Sequence, residues 1–252
     1  MPADILLVGL PRSGTSWVGS VLGASPSIEY LREPITQSWL DAGNRTPLVN
    51  PLRDDDYRRH VGTSLQPTTS RRLIKEVNPL LIPYALDESP VQVILLRRHP
   101  CAVALSYHER GWTRLDVEER FGIEAAGDFW RDHGAYQALL LGPAATAIKG
   151  RGLVISYEAL TRRPEKAFAG LATELDLVWD AASSEFLRTT LSSDDRSDPY
   201  AVRRDAAHAR ERWRSAMSKQ QQNAVLAGFN QHRNHDVAGP KRPGRWWRRV
   251  WA

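Results

Sequence analysis

The sequence predicts an α/β protein built on a doubly wound parallel sheet. Three observations carry this reading. Short apolar runs alternate with helix-period stretches along a chain of 252 residues, the rhythm of parallel strands joined by crossover helices. The run Val91–Leu96 is apolar almost throughout, as a strand covered on both faces must be. The first run, Ile5–Val8, passes through a glycine-bearing loop straight into a helix-period segment, an order that aims backbone N–H groups at an anion.

The strands expected from these runs are Ile5–Val8, Leu73–Ile74 with Val77, Val91–Leu96 and Leu153–Tyr157. The helices expected between and after them are Thr15–Leu22, Pro79–Leu86, Cys101–His108, Ala126–Leu141, Pro164–Leu175 and Lys219–Phe229. Pro164 follows a Thr-Arg-Arg sequence, a cap-then-proline start. Residues 41–70, 111–125 and 192–214 are polar and read as long loops, which in a compact domain form lids, binding loops or surface. Ligands of such sheets bind at the carboxyl ends of the strands.

Composition narrows the function. Hydrophobic residues make up 42% and charged residues 25%, enough for a packed core and too apolar for disorder. No run approaches the roughly 20 apolar residues of a membrane span, and Ile5–Leu10 is too short for a signal peptide's core. The single cysteine, Cys101, excludes an internal disulfide. A cytoplasmic protein is expected. The net charge of +5 equals the five basic residues of 240–252, a segment without acids. Residues 1–239 are therefore formally neutral and read as one domain, with 240–252 as a basic, Trp-rich tail. Neither part suggests nucleic-acid binding. The seven histidines are scattered, and no metal site is expected.

The loop reads Gly9-Leu-Pro-Arg-Ser-Gly14-Thr-Ser16. Its glycine spacing is that of an NTP-binding loop, but Thr15 stands where that loop has its lysine. Gly14 permits close backbone approach, Thr15 and Ser16 add hydroxyls, and Arg12 adds a charge that no ordinary pH change removes. The pattern suits a phosphate with less charge to neutralise and no obligatory metal; an ordinary strand-to-helix turn is the alternative. A second segment, residues 93–108, runs from a buried strand to Arg98 and then to Ser106 on a proline-started helix. Arg98 and Ser106 together suit a second phosphate.

These segments resemble the sulfotransferases that use 3′-phosphoadenylyl sulfate (PAPS). Leu10–Val18 resembles their 5′-phosphosulfate loop and Leu96–Ser106 their 3′-phosphate motif. Ile155–Leu160 is similar to the family's strand-to-helix motif. Leu31–Pro34 and Ile74–Val77 resemble two segments of its carbohydrate-type branch. The resemblance implies a P-loop nucleotide-kinase-like fold, a doubly wound parallel sheet flanked by helices, with PAPS as co-substrate and no metal required. It implies nucleotide contacts from Arg12, Ser13, Gly14, Thr15, Ser16, Trp17, Arg98, Ser106 and Tyr157. It implies Glu33 as general base, Arg12 as the charge that stabilises the leaving phosphate, and Lys75 on the sulfuryl group or acceptor. Many soluble members carry lysine where this chain has Arg12, which argues for charge stabilisation over proton donation here. Glu76 and His108 are reserve bases. The acceptor implied is a hydroxyl of a small molecule or glycan, glycosylated or lipid-linked. A P-loop nucleotide kinase or NTPase, or a noncatalytic nucleotide-binding protein, is the competing reading.

In the tail, Arg245, Trp246, Trp247, Arg248, Arg249 and Trp251 combine interface-seeking rings with cations. This suggests peripheral contact with an anionic membrane at its inner face. Packing of the tryptophans onto the domain is the alternative.

Overall fold

Buried apolar runs pair into one parallel sheet in the computed structural model, which describes residues 3–44, 48–192 and 206–233. Its strands are β1 (Asp4–Gly9), β2 (Glu29–Arg32), β3 (Arg72–Glu76), β4 (Val91–Arg97) and β5 (Leu153–Ser156). They lie in the order β2-β3-β1-β4-β5. Leu6 of β1 is in register with Ile74 of β3 and Val93 of β4. Chain neighbours such as β1 and β2 are not sheet neighbours, so crossovers place helices on both faces.

The helices before β4 are α1 (Thr15–Leu22), α2 (Pro34–Asp41), α3 (Asp55–Ser64) and α4 (Leu81–Glu88). Between β4 and β5 come α5 (Pro100–His108), α6 (Val117–Phe121) and α7 (Phe129–Ala147). After β5 come α8 (Tyr157–Arg162), α9 (Pro164–Glu174), α10 (Ala181–Ser192), α11 (Ala206–Glu211), α12 (Trp213–Ala216) and α13 (Lys219–His232).

Strand residues alternate between faces. Ile5, Leu7, Leu73, Ile94 and Leu96 pack with Val18, Val21 and Leu22 of α1 and Phe168 of α9. Leu6, Val8, Ile74, Val93 and Leu95 pack with Tyr57, Val61, Leu81 and Leu140 on the other face. Burying each such aliphatic side chain contributes about 1.5–3 kcal/mol. The parallel α/β architecture expected from the sequence is the one observed.

Several elements differ from expectation, each for a local reason. β2 has only partly covered side chains at the sheet edge, so it shows no apolar run. The 41–70 segment contains α3, because Asp54 caps it by accepting from Tyr57 N, and Tyr57 and Val61 share its buried face. α6 similarly lies within 111–125. β5 stops at Ser156, whose hydroxyl accepts from Ala159 N and starts α8 at Tyr157. α7 runs through Pro143 to Ala147 instead of ending at Leu141. Residues 193–205 and the tail expectations at Arg245, Trp246, Trp247, Arg248, Arg249 and Trp251 lie outside the described residues. Among the described residues, no helix is long and apolar enough to cross a membrane.

Candidate phosphate-loop and transfer site

β1 delivers the chain to the loop, and one carbonyl ties the loop's turn. Leu10 O accepts from Ser13 N at 3.1 Å and from Ser13 Oγ at 2.6 Å. The turn sets Arg12 at φ 68° and Gly14 at φ 98°. Gly14 is required twice over. Its backbone is left-handed, and a Cβ there would lie 2.6 Å from a Tyr157 ring carbon. Val18 N makes a helical bond to Gly14 O. The N–H groups of Thr15, Ser16 and Trp17 precede that bond and form the positive end of α1.

Arg12 and Arg98 are fastened to each other and to α5. Arg12 Nε donates to Ser106 Oγ at 2.9 Å. Arg98 donates through Nη1 to Arg12 O at 3.1 Å and through Nη2 to Ala209 O at 2.6 Å. Its guanidinium lies 4.4 Å from the Tyr157 ring centroid, a cation–π contact. Arg98 Nε is buried without a hydrogen-bond partner among the described residues. A buried N–H of this kind costs about 1–3 kcal/mol until an acceptor meets it. The expectation set Arg98 and Ser106 around a second phosphate and made no link between Ser106 and Arg12. The structure bonds Ser106 to Arg12, so the loop and the segment after β4 form one connected cluster.

A second cluster sits on the neighbouring strand ends. Lys75 of β3 is in register with Leu7 of β1 and Arg32 of β2. Its ammonium donates to Glu33 Oε1. The Lys75 side chain is 1% exposed and that of Glu33 30%, so the carboxylate is the reachable member. Burial pushes the Lys75 ammonium below its ordinary pKa, and the Glu33 charge opposes that shift. Glu33 occupies a left-handed conformation, φ 55°, and its N–H donates to Lys75 O at 2.7 Å.

Four sequence-selected residues take other duties. Ser13 is 1% exposed and spends its N–H and hydroxyl on Leu10 O, so it braces the loop and presents no donor to a ligand. Trp17 is turned into the core, where Nε1 donates to Thr190 Oγ1 at 3.0 Å and the ring meets Tyr157 and Phe168 edge-on. Of the reserve bases, Glu76 is fully buried with both oxygens bonded to α2. His108 stacks on Trp130. A groove of about 780 Å³ lies along β5, lined by His99, Val154, Glu158 and Arg233 among others, and includes neither the loop nor Glu33.

The chain matches the model of the sulfotransferase domain over residues 2–220. It belongs to the sulfotransferase family. Solved structures share the fold at low identity. The sulfotransferase domain from the curacin biosynthetic pathway has 14% identity and a TM-score of 0.57, covering 91% of this chain and 98% of that one. A mouse sulfotransferase complexed with PAP has 18% identity and a TM-score of 0.54, covering 93% and 86%. The sulfotransferase domain of the Synechococcus PCC 7002 olefin synthase has 20% identity and a TM-score of 0.51, covering 91% and 95%.

Two glutamates brace the elements around these clusters, Glu158, which sequence reasoning passed over, and Glu76, which it held only as a reserve base. Glu158 accepts from His99 N at 2.9 Å and from Ser156 Oγ at 3.0 Å, locking the turn after β4 to the end of β5. Burial pulls the Arg97 guanidinium down to about 10, and the Glu158 charge opposes that shift. Glu76 locks α2 to β3. Neither glutamate has a local pattern that announces it, because their partners are 59 and 41 residues away. Chemically, the two clusters combine a helix N-terminus, two linked arginines and a carboxylate paired to a buried lysine. Such a set can hold phosphates, stabilise a leaving anion and accept a proton.

Proposed function

We propose that this sulfotransferase moves the sulfuryl group of PAPS onto an acceptor hydroxyl, with Glu33 as general base. The observation that carries the reading is the reachable Glu33 carboxylate on Lys75, at a strand end beside the phosphate loop. The orphaned Arg98 Nε supports the donor, since a 3′-phosphate oxygen supplies the acceptor that this N–H lacks. Thr15, Ser16, Gly14 and Arg12 hold the 5′ end, while Arg98, Ser106 and Tyr157 hold the 3′ end. Ser13 and Trp17 support the loop from behind.

PAPS supplies an activated sulfuryl group and a phosphate leaving group. Glu33 takes the acceptor's proton as the acceptor oxygen bonds to sulfur. Arg12 and the α1 N-terminus stabilise the charge that the departing phosphate gains when its bond to sulfur breaks. Lys75 orients the Glu33 carboxylate and offsets charge on the sulfuryl oxygens. None of these roles calls on a metal.

The similarity of Leu31–Pro34 to the carbohydrate-type segment supports a sugar or lipid-linked alcohol as acceptor. Turnover of PAPS with a methyl glucoside, a simple phenol and a sterol tests the acceptor class; transfer to the phenol alone overturns the sugar reading. Calorimetry tests the donor. The desulfated product PAP is expected to bind far more tightly than AMP or ATP, without magnesium. Equal affinity for PAP and AMP rejects the donor assignment. Anionic vesicles at low and high salt test the tail as a membrane contact: binding by the full chain, lost in residues 1–239, supports it, and equal behaviour rejects it.

A further inference from the structure

Glu33 occupies the N-cap position of α2, yet its side chain makes no cap bond there. A Ser, Thr, Asp or Asn side chain at this position ordinarily accepts from the helix's first free N–H groups. Here the capping comes from another strand. Glu76 Oε1 accepts from Ile35 N at 2.7 Å and from Thr36 N at 3.2 Å. Its Oε2 accepts from Thr36 Oγ1 at 2.6 Å. Glu76 is 0% exposed, so these donors are its solvation.

The backbone around Glu33 is held from the same strand. Glu33 N donates to Lys75 O at 2.7 Å, and the left-handed turn at φ 55° leads into Pro34 at the start of α2. Two consecutive residues of β3 therefore grip the turn from both sides. Lys75 holds the Glu33 N–H and carboxylate, and Glu76 holds the helix that follows. Without Glu76, the first N–H groups of α2 lose their acceptor. The nearest replacement is the Glu33 carboxylate itself, already at the N-cap position. It would swing onto its own helix and leave Lys75.

We propose that Glu76 is the positioning residue of the transfer reaction: it caps α2 in place of Glu33 and so keeps the Glu33 carboxylate free for the acceptor. The catalytic part rests on the reading of Glu33 as the base.

The test compares Glu76→Ala, Glu76→Gln and Glu33→Gln in the full chain. Turnover is measured with PAPS and the best acceptor of the panel above, PAP affinity by calorimetry, and amide exchange at Ile35 and Thr36. Glu76→Ala is expected to lower kcat by roughly 10²-fold, the scale of an ångström-size misplacement. KM for PAPS and PAP affinity should stay as in the wild type. Glu76→Gln keeps a carbonyl acceptor and should regain most of the lost kcat. Exchange at Ile35 and Thr36 should accelerate in the alanine variant and not in the glutamine variant. Wild-type kcat in folded Glu76→Ala, or equal impairment of both variants, overturns the proposal. Should Glu76→Ala not fold, Thr36→Val removes the 2.6 Å bond at constant volume. It should lower kcat severalfold at constant KM, and unchanged kcat overturns the proposal equally. Failure of the base reading looks different: Glu33→Gln then turns over normally, while the exchange pattern still decides whether Glu76 caps α2.

Discussion

Arg12 and Ser106 lie 94 positions apart in sequence, and the arginine Nε donates to the serine hydroxyl at 2.9 Å. The bond joins the phosphate loop to α5, and the Arg12 carbonyl extends it to Arg98. The loop and the segment after β4 are therefore held as one unit. Arg98→Ala should weaken PAP binding by about 1.5–3 kcal/mol, the range for a charged hydrogen bond. Ser106→Ala should cost about 0.5–1.5 kcal/mol. The double variant should cost less than the sum, because the pair shares Arg12. Calorimetry on the three variants measures this; strict additivity denies the coupling.

Glu33→Gln removes the proposed proton acceptor and keeps the shape. Turnover should fall by roughly 10²–10⁴-fold, with PAP affinity close to that of the wild type. Near-normal turnover in a steady-state assay would remove Glu33 from the chemistry.

Gly14→Ala places a methyl group against the Tyr157 ring, with a Cβ contact of 2.6 Å at a φ of 98°. The conformational part alone costs on the order of 1–3 kcal/mol. Thermal unfolding should show that loss, and PAP binding should fall with it. A variant with wild-type stability and affinity would mean that the loop does not need this conformation.

Burial pushes the Glu76 carboxyl up to about 7 from its ordinary 4.5, against hydrogen bonds from Thr36 and Ile35 that pull it down. A folded pKa above the unfolded one means that the folded state holds the proton more tightly. This contribution to stability is complete below the unfolded value and is lost as pH rises from 4.5 to about 7. Wild type should therefore lose stability relative to Glu76→Gln across that window, by at most roughly 3 kcal/mol. Urea unfolding at a series of pH values reads the difference. Parallel curves for the two proteins would place the titration elsewhere.

Periodicity and glycine placement were enough to read four of the five strands and the loop. The apolar runs at β1, β3 and β4 mark strands because both faces are covered. Gly9 and Gly14 mark the loop because few residues other than glycine tolerate such geometry. Arg12, Thr15, Ser16, Arg98 and Ser106 stood out because their charges and hydroxyls follow strands or open helices, where local sequence decides position. Helices α2 and α3 were hidden because their stability comes from a cap and a few buried contacts, not from an apolar stripe. The inward turn of Ser13 and Trp17 was not legible in the sequence, since only packing decides which way a side chain beside a loop turns.

The tertiary structure alone decided the partnerships. Arg12 with Ser106, Lys75 with Glu33, Glu76 with α2 and Glu158 with His99 are bonds between elements distant in the chain. Sequence by itself determined which chemical groups reach the strand ends, because strand and helix periods are local. It could not determine which carboxylate is reachable and which is buried. That depends on the sheet order β2-β3-β1-β4-β5, which sets β3 between β2 and β1 and buries Glu76 under α2 while Glu33 stays at the rim.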